Sequence, residues 1–108
     1  MILYHGTDKS NLDKIISKGL KPFECSDFGK AVYLSDNYEF SEGYGDCIIK
    51  TNVYGSIMDL NNPTHWDLYK SFHCNNLKEC VTAAGFVGIK DGNIYAIYKT
   101  KAITVIPE

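Results

Sequence analysis

The chain has little surplus charge of one sign: 11 basic side chains face 13 acidic ones, for a formal net charge of −2. That balance gives no general electrostatic attraction to nucleic acid or to an anionic membrane, so neither is expected as a partner. Long apolar runs are missing as well. No segment approaches the roughly 20 residues of a membrane span, and Met1-Ile2-Leu3-Tyr4-His5 has neither the basic start nor the apolar core of a signal peptide. The expectation is a cytoplasmic protein, of the producing or of a host cell. No repeat or low-complexity segment is present. With 44% hydrophobic and 22% charged residues the composition is that of a folded domain, not a disordered tail. At 108 residues the chain reads as one domain, 1–108.

Cysteine is present four times, as Cys25, Cys47, Cys74 and Cys80. Without a secretion signal, free thiols are the expectation. His65, His73, Cys74 and Cys80 fit no common zinc spacing, and adjacent His73 and Cys74 would diverge on a helix or a strand, so no metal is expected.

Turn and cap signals divide the rest. Ile2 to Tyr4 reads as an opening strand ending in a histidine-glycine turn. Ser10-Asn11-Leu12-Asp13 has a helix-start pattern, with Leu12, Ile15 and Ile16 on one face and Gly19 as the stop. A connection through Pro22 leads to a strand over Lys30 to Leu34. Asp36 or Asn37 caps a short helix through Phe40 and Ser41 that ends near Gly43 or Gly45. Cys47 to Tyr54 has strand character, Asn61-Asn62-Pro63 is a break, and Thr64 to Phe72 reads as a helix. Asn76 opens a fourth helix, in which Leu77, Cys80, Val81 and Ala84 share a face and Gly85 ends the run. Two strands, Phe86 to Ile89 and Ile94 to Tyr98, join through Asp91-Gly92, and a last strand covers Ile103 to Ile106. Short strands with few long helices predict an α+β fold.

Three segments carry a resemblance. They are Tyr4-His5-Gly6-Thr7, Phe28-Gly29-Lys30-Ala31-Val32-Tyr33-Leu34 with Ser41 and Tyr44 at fixed offsets after Tyr33, and Asn93-Ile94-Tyr95-Ala96-Ile97-Tyr98. Together they resemble the NAD-binding half of the ADP-ribosyltransferase superfamily, in its diphtheria-toxin-like and poly(ADP-ribose) polymerase branch. The resemblance implies an α+β fold of two packed twisted β-sheets with short flanking helices, and NAD as the substrate. It implies a nicotinamide site built from His5, Gly6, Thr7, Tyr33, Ser41 and Tyr44. His5 would bond a ribose hydroxyl, the Gly6 backbone would pair with the carboxamide, Ser41 would donate to that carboxamide, and Tyr33 and Tyr44 would enclose the ring. Ala31 departs from the branch, which usually has glycine there.

The larger departure is Ile94, at the position of the family's catalytic glutamate. His5, Tyr33 and Ile94 thus stand in place of a His-Tyr-Glu triad. A carboxylate there would hold the ribose and stabilise the positive charge that develops as the glycosidic bond breaks; isoleucine does neither. Asp91, Glu39 and Glu42 are the candidate substitutes and read as solvated surface charges. Poly(ADP-ribose) synthesis is not expected. Two classes stay open. One is a small mono-ADP-ribosyltransferase that modifies a protein, of the kind that suits bacterial or phage effectors and toxins. The other is a binding module that kept the pocket and lost turnover.

Overall fold

Residues 1–25, 27–43 and 45–106 are described by the computed structural model, apart from the side chains of Phe40 and Glu42. In chain order the elements are β1 (Ile2–Thr7), α1 (Lys9–Lys18), β2 (Phe23–Cys25), β3 (Gly29–Ser35), α2 (Tyr38–Glu42), β4 (Cys47–Val53), β5 (Ser56–Asp59), α3 (Pro63–Lys70), α4 (Leu77–Ala83), β6 (Phe86–Asp91), β7 (Ile94–Ile97), a 3-10 turn (Thr100–Ala102) and β8 (Ile103–Val105). The strands lie in the order β5-β6-β7-β3-β1-β4-β8, with β2 beside β3. The pairs are antiparallel except β5 with β6. The class is the α+β one expected, and its two twisted sheet halves meet at a narrow seam. Between β1 and β3 the register contains one pair, Tyr4 with Ser35.

Alternation along β3 and β7 builds two cores. Val32, Leu34, Tyr95 and Ile97 pack in one cluster with Leu3 and Val53 of the other sheet half. Ala31, Ala96, Ile89 and Met58 pack in the second, which α4 closes with Val81. A strand projects successive side chains to opposite faces, so one run of apolar residues serves both clusters. Burial of a large aliphatic side chain of this kind is worth about 1.5–3 kcal/mol.

Helix α4 starts where the sequence signal places it. Asn76 Oδ1 accepts from the Glu79 N–H at 3.0 Å while its amide donates to Glu79 Oε1 at 3.2 Å. Gly85 follows at φ 94°. Helix α3 is capped by Asn62, which accepts from Thr64 and His65 N–H groups ahead of Pro63. Gly92 turns the β6–β7 hairpin at φ 61°.

Four expectations are corrected. His5 and Gly6 do not form a turn; they continue β1, because β4 supplies partners as far as Thr7. Helix α1 begins at Lys9 with Asp8 as its N-cap, so Ser10 lies inside the helix. Ile16 is 66% exposed, and α1 buries none of its residues. The cysteines are not all free. Cys74 and Cys80 form a disulfide across Cα atoms 6.1 Å apart, because the chain before α4 folds back against that helix and brings the pair within bonding range. Cys25 and Cys47 are free thiols. Denatured, unreduced protein should therefore titrate two thiols, and four after reduction; four before reduction would show that the disulfide is absent.

Candidate functional site

The ladder between β1 and β4 decides which way the backbone of Gly6 faces. Val53 N–H donates to the Met1 carbonyl at 2.8 Å, and Ile2 pairs with Asn52 and Gly6 with Ile48. In an antiparallel pair, alternate residues exchange hydrogen bonds. Met1, Leu3, His5 and Thr7 thus bond toward β4, while Tyr4 and Gly6 direct N–H and C=O toward β3. Tyr4 finds Ser35 there. Continued by two residues, the ladder would join Gly6 to Tyr33, and that pair is not formed. The sheet splits at this point. Gly6 leaves a backbone donor and acceptor on the edge of the opening.

The His5 ring spans the split. Its Nδ1 lies 3.1 Å from the Tyr33 carbonyl. A carbonyl only accepts, so the contact requires the proton on Nδ1; in the neutral ring Nε2 is then an acceptor. Thr7, which closes β1, is buried at 7% exposure.

Tyr33 packs against the cluster of Ala31, Ala96 and Met58, and its ring is partly exposed. Its hydroxyl donates to the Gly29 carbonyl at 2.5 Å. Burial, and after it the neighbouring Cys25, pushes the Tyr33 phenol up to about 12. The hydroxyl is neutral at physiological pH and is directed along its own strand, so the ring face is what Tyr33 can offer a ligand. Ser41 is fully buried at 2% exposure, and its hydroxyl donates to the carbonyls of Tyr4 and Asn37 at 3.4 and 3.3 Å. It braces the β1 backbone where the sheets join. Tyr44 lies outside the described residues.

Ile94 pairs with Ser35, which pairs with Tyr4. The three motif segments therefore occupy adjacent strands, and Ile94 sits one strand over and two residues along from Tyr33. Of the candidate carboxylates, Asp91 is exposed across the hairpin from Ile94, and Glu39 is exposed in the first turn of α2. The side chain of Glu42 lies outside the described residues. Asp36, expected only as a helix cap, is a further carboxylate just past the end of β3. Its N–H donates to the Asn93 carbonyl at 3.3 Å, and its Oδ2 accepts from the Tyr95 hydroxyl at 3.2 Å and lies 3.9 Å from Lys90 Nζ. Burial pushes the Tyr95 phenol up, with Lys90 opposing. Tyr95 belongs to the cluster on the face opposite Tyr33, so this network holds Asp36 away from the face on which Ile94 and Tyr33 lie.

A shallow depression of about 460 Å³ lies between Asp36, Asn37, Tyr38, Glu39 and Asn93, beside the strand of Ile94. A larger groove, about 730 Å³, runs between the β2–β3 hairpin and α4 and ends on Tyr98. Among the described residues, no group of three His, Cys, Asp or Glu side chains is placed to hold a metal. Among them, no helix is long and apolar enough to cross a membrane. His65 Nδ1 accepts from the Asp59 N–H at 3.0 Å, which ties α3 to β5.

No curated protein matches the chain. Residues 1–60 match the family model for the poly(ADP-ribose) polymerase catalytic domain. The match contains His5, Gly6, Thr7, Tyr33, Ser41 and Tyr44, ends before the strand of Ile94, and covers more than half of the 108 residues. The chain belongs to the poly(ADP-ribose) polymerase catalytic-domain family, the NAD-dependent ADP-ribosyltransferases.

Proposed function

We propose that this protein is a mono-ADP-ribosyltransferase. It breaks the nicotinamide–ribose bond of NAD and passes ADP-ribose to a macromolecular acceptor, a protein side chain. The observation that carries the reading is the split between Gly6 and Tyr33. A flat carboxamide has one donor edge and one acceptor edge, and the free N–H and C=O of Gly6 match both. The exposed part of the Tyr33 ring supplies an aromatic face for the pyridinium, with Tyr44 as the second face. His5 Nε2 accepts a ribose hydroxyl, since Nδ1 is engaged by the Tyr33 carbonyl. Thr7 ends the strand that presents Gly6, and Ser41 holds the same strand by the Tyr4 carbonyl. All of 1–108 acts as one NAD-binding unit.

In the step itself the glycosidic bond breaks with its electron pair leaving on nicotinamide, and the acceptor attacks the ribose carbon that bears the developing positive charge. Ile94 offers that charge no carboxylate, and the Asp36 carboxylate is held by Tyr95 and Lys90. Rate enhancement comes from orientation, and chain elongation lacks the group that would prepare a ribose hydroxyl. A binding module that holds NAD without turnover is the second reading, favoured by the same isoleucine.

Incubation with NAD labelled in the adenosine half tests the proposal. Free nicotinamide should appear together with protein carrying single ADP-ribose units. Labelled polymer would refute the assignment of Ile94. Bound NAD with no nicotinamide release would replace the enzyme by the binding module.

A further inference from the structure

Helix α1 does not cap itself. Asp8 stands at its N-cap and makes no side-chain capping bond. The N–H of Lys9 donates instead to Asp46 Oδ1 at 3.0 Å, a partner 37 residues away in the loop between α2 and β4. The preceding residue of that loop touches the same corner. A Cβ on Gly45 would overlap the Thr7 carbonyl, so the Gly45 backbone lies flat on the last peptide of β1. Pairing of β1 with β4 then starts at Thr7 and Cys47. Packing of α1 adds little at this corner, since none of its residues is fully buried and Leu12 and Ile15 are only half-buried. The Thr7–Asp8 peptide and the Lys9 amide, one and two peptides beyond the Gly6–Thr7 peptide, are therefore met from outside by a glycine and a carboxylate.

We infer that Asp46 is a positioning residue for the nicotinamide end of the site. Through the Lys9 amide, and with Gly45 seated on the Thr7–Asp8 peptide, it fixes the stretch from Thr7 to Lys9 into which the Gly6 strand runs, and so steadies the end of β1 relative to β3. The inference rests on the proposed seating of the carboxamide at Gly6. A carboxylate at a helix N-terminus is also favoured by the helix dipole. Asparagine would keep the accepting oxygen and lose the charge.

Calorimetry with nicotinamide and, separately, with ADP-ribose on wild type and variants distinguishes positioning from general support. Asp46→Ala should weaken nicotinamide binding by about five- to tenfold, the size of one lost cap bond, and leave ADP-ribose within about twofold. Asp46→Asn should stay close to wild type. Lys9→Pro removes the donor and leaves the carboxylate in place. Proline suits a first helical position, and Asp8 already has the extended conformation that a following proline requires, at φ −78° and ψ 147°. This variant should reproduce the selective loss even if Asp46→Ala fails to fold. Equal losses for both ligands, or unchanged nicotinamide binding in Lys9→Pro, would overturn the role of Asp46 alone. Wild type that binds ADP-ribose but no nicotinamide would remove the seat at Gly6 and the inference with it.

Discussion

Ile94→Glu should raise NAD hydrolysis by roughly two to three decades. One preorganised contact to developing charge is typically worth about 2.7–4 kcal/mol. The register places residue 94 beside Ser35, and two residues along the same face of β3 lies Tyr33, whose ring would flank the nicotinamide. A carboxylate introduced there would project toward the ribose that joins nicotinamide to the rest of NAD. Two features work against the full gain. Ile94 is partly buried, and Asp91 pairs with it across the hairpin. Desolvation and a like charge both raise a carboxyl's pKa. The charged form is the one that helps, so the gain should grow as pH rises. Activity that falls in the variant, with NAD affinity kept, would show that position 94 does not face the ribose.

Tyr33→Ala should weaken NAD binding by about 1–3 kcal/mol, the range for losing a half-buried aromatic face. Tyr33→Phe is the informative partner. The hydroxyl donates to Gly29 and is not directed at the opening, so phenylalanine should keep most of the affinity. Calorimetry on folded variants separates the outcomes. If Phe loses as much as Ala, the hydroxyl and not the ring face meets the ligand; if neither loses affinity, nicotinamide lies elsewhere.

Some of this architecture was legible because local chemistry and tertiary structure agree. Asn76, the three-four spacing from Leu77 to Ala84, and Gly85 specify α4 within one short stretch. Asp91-Gly92 does the same for the β6–β7 hairpin. Strands β2 and β5 carry no such local signal, for the opposite reason. They hold three and four residues, and β5 exists because β6, about 30 residues later, offers it a parallel edge. The start of α1 is not legible, because the amide of its first residue bonds Asp46 and no pattern around Ser10 records a partner so distant. Cys74 and Cys80 pair through a fold-back that spacing alone does not reveal.

The site divides in the same way. Motif spacing brought out His5, Tyr33 and Ile94, and the structure sets their segments on neighbouring strands. It did not show that the ladder opens between Gly6 and Tyr33, or that the Ser41 hydroxyl turns inward to the Tyr4 carbonyl. Both depend on where two sheet halves part. Asp36 looked like a helix cap because its partners, Tyr95 and Lys90, lie more than fifty residues further on.

On the proposed reading, the free backbone edge of Gly6 receives the carboxamide of NAD. Titration of isotope-labelled protein with nicotinamide, followed through backbone amide resonances, tests it directly. The largest shift should fall on the Gly6 amide, smaller ones on Tyr33 and Thr7, and none on Asn76 to Lys78 beside the larger groove. A shift pattern centred on Asn76 to Lys78, with Gly6 unmoved, would contradict it.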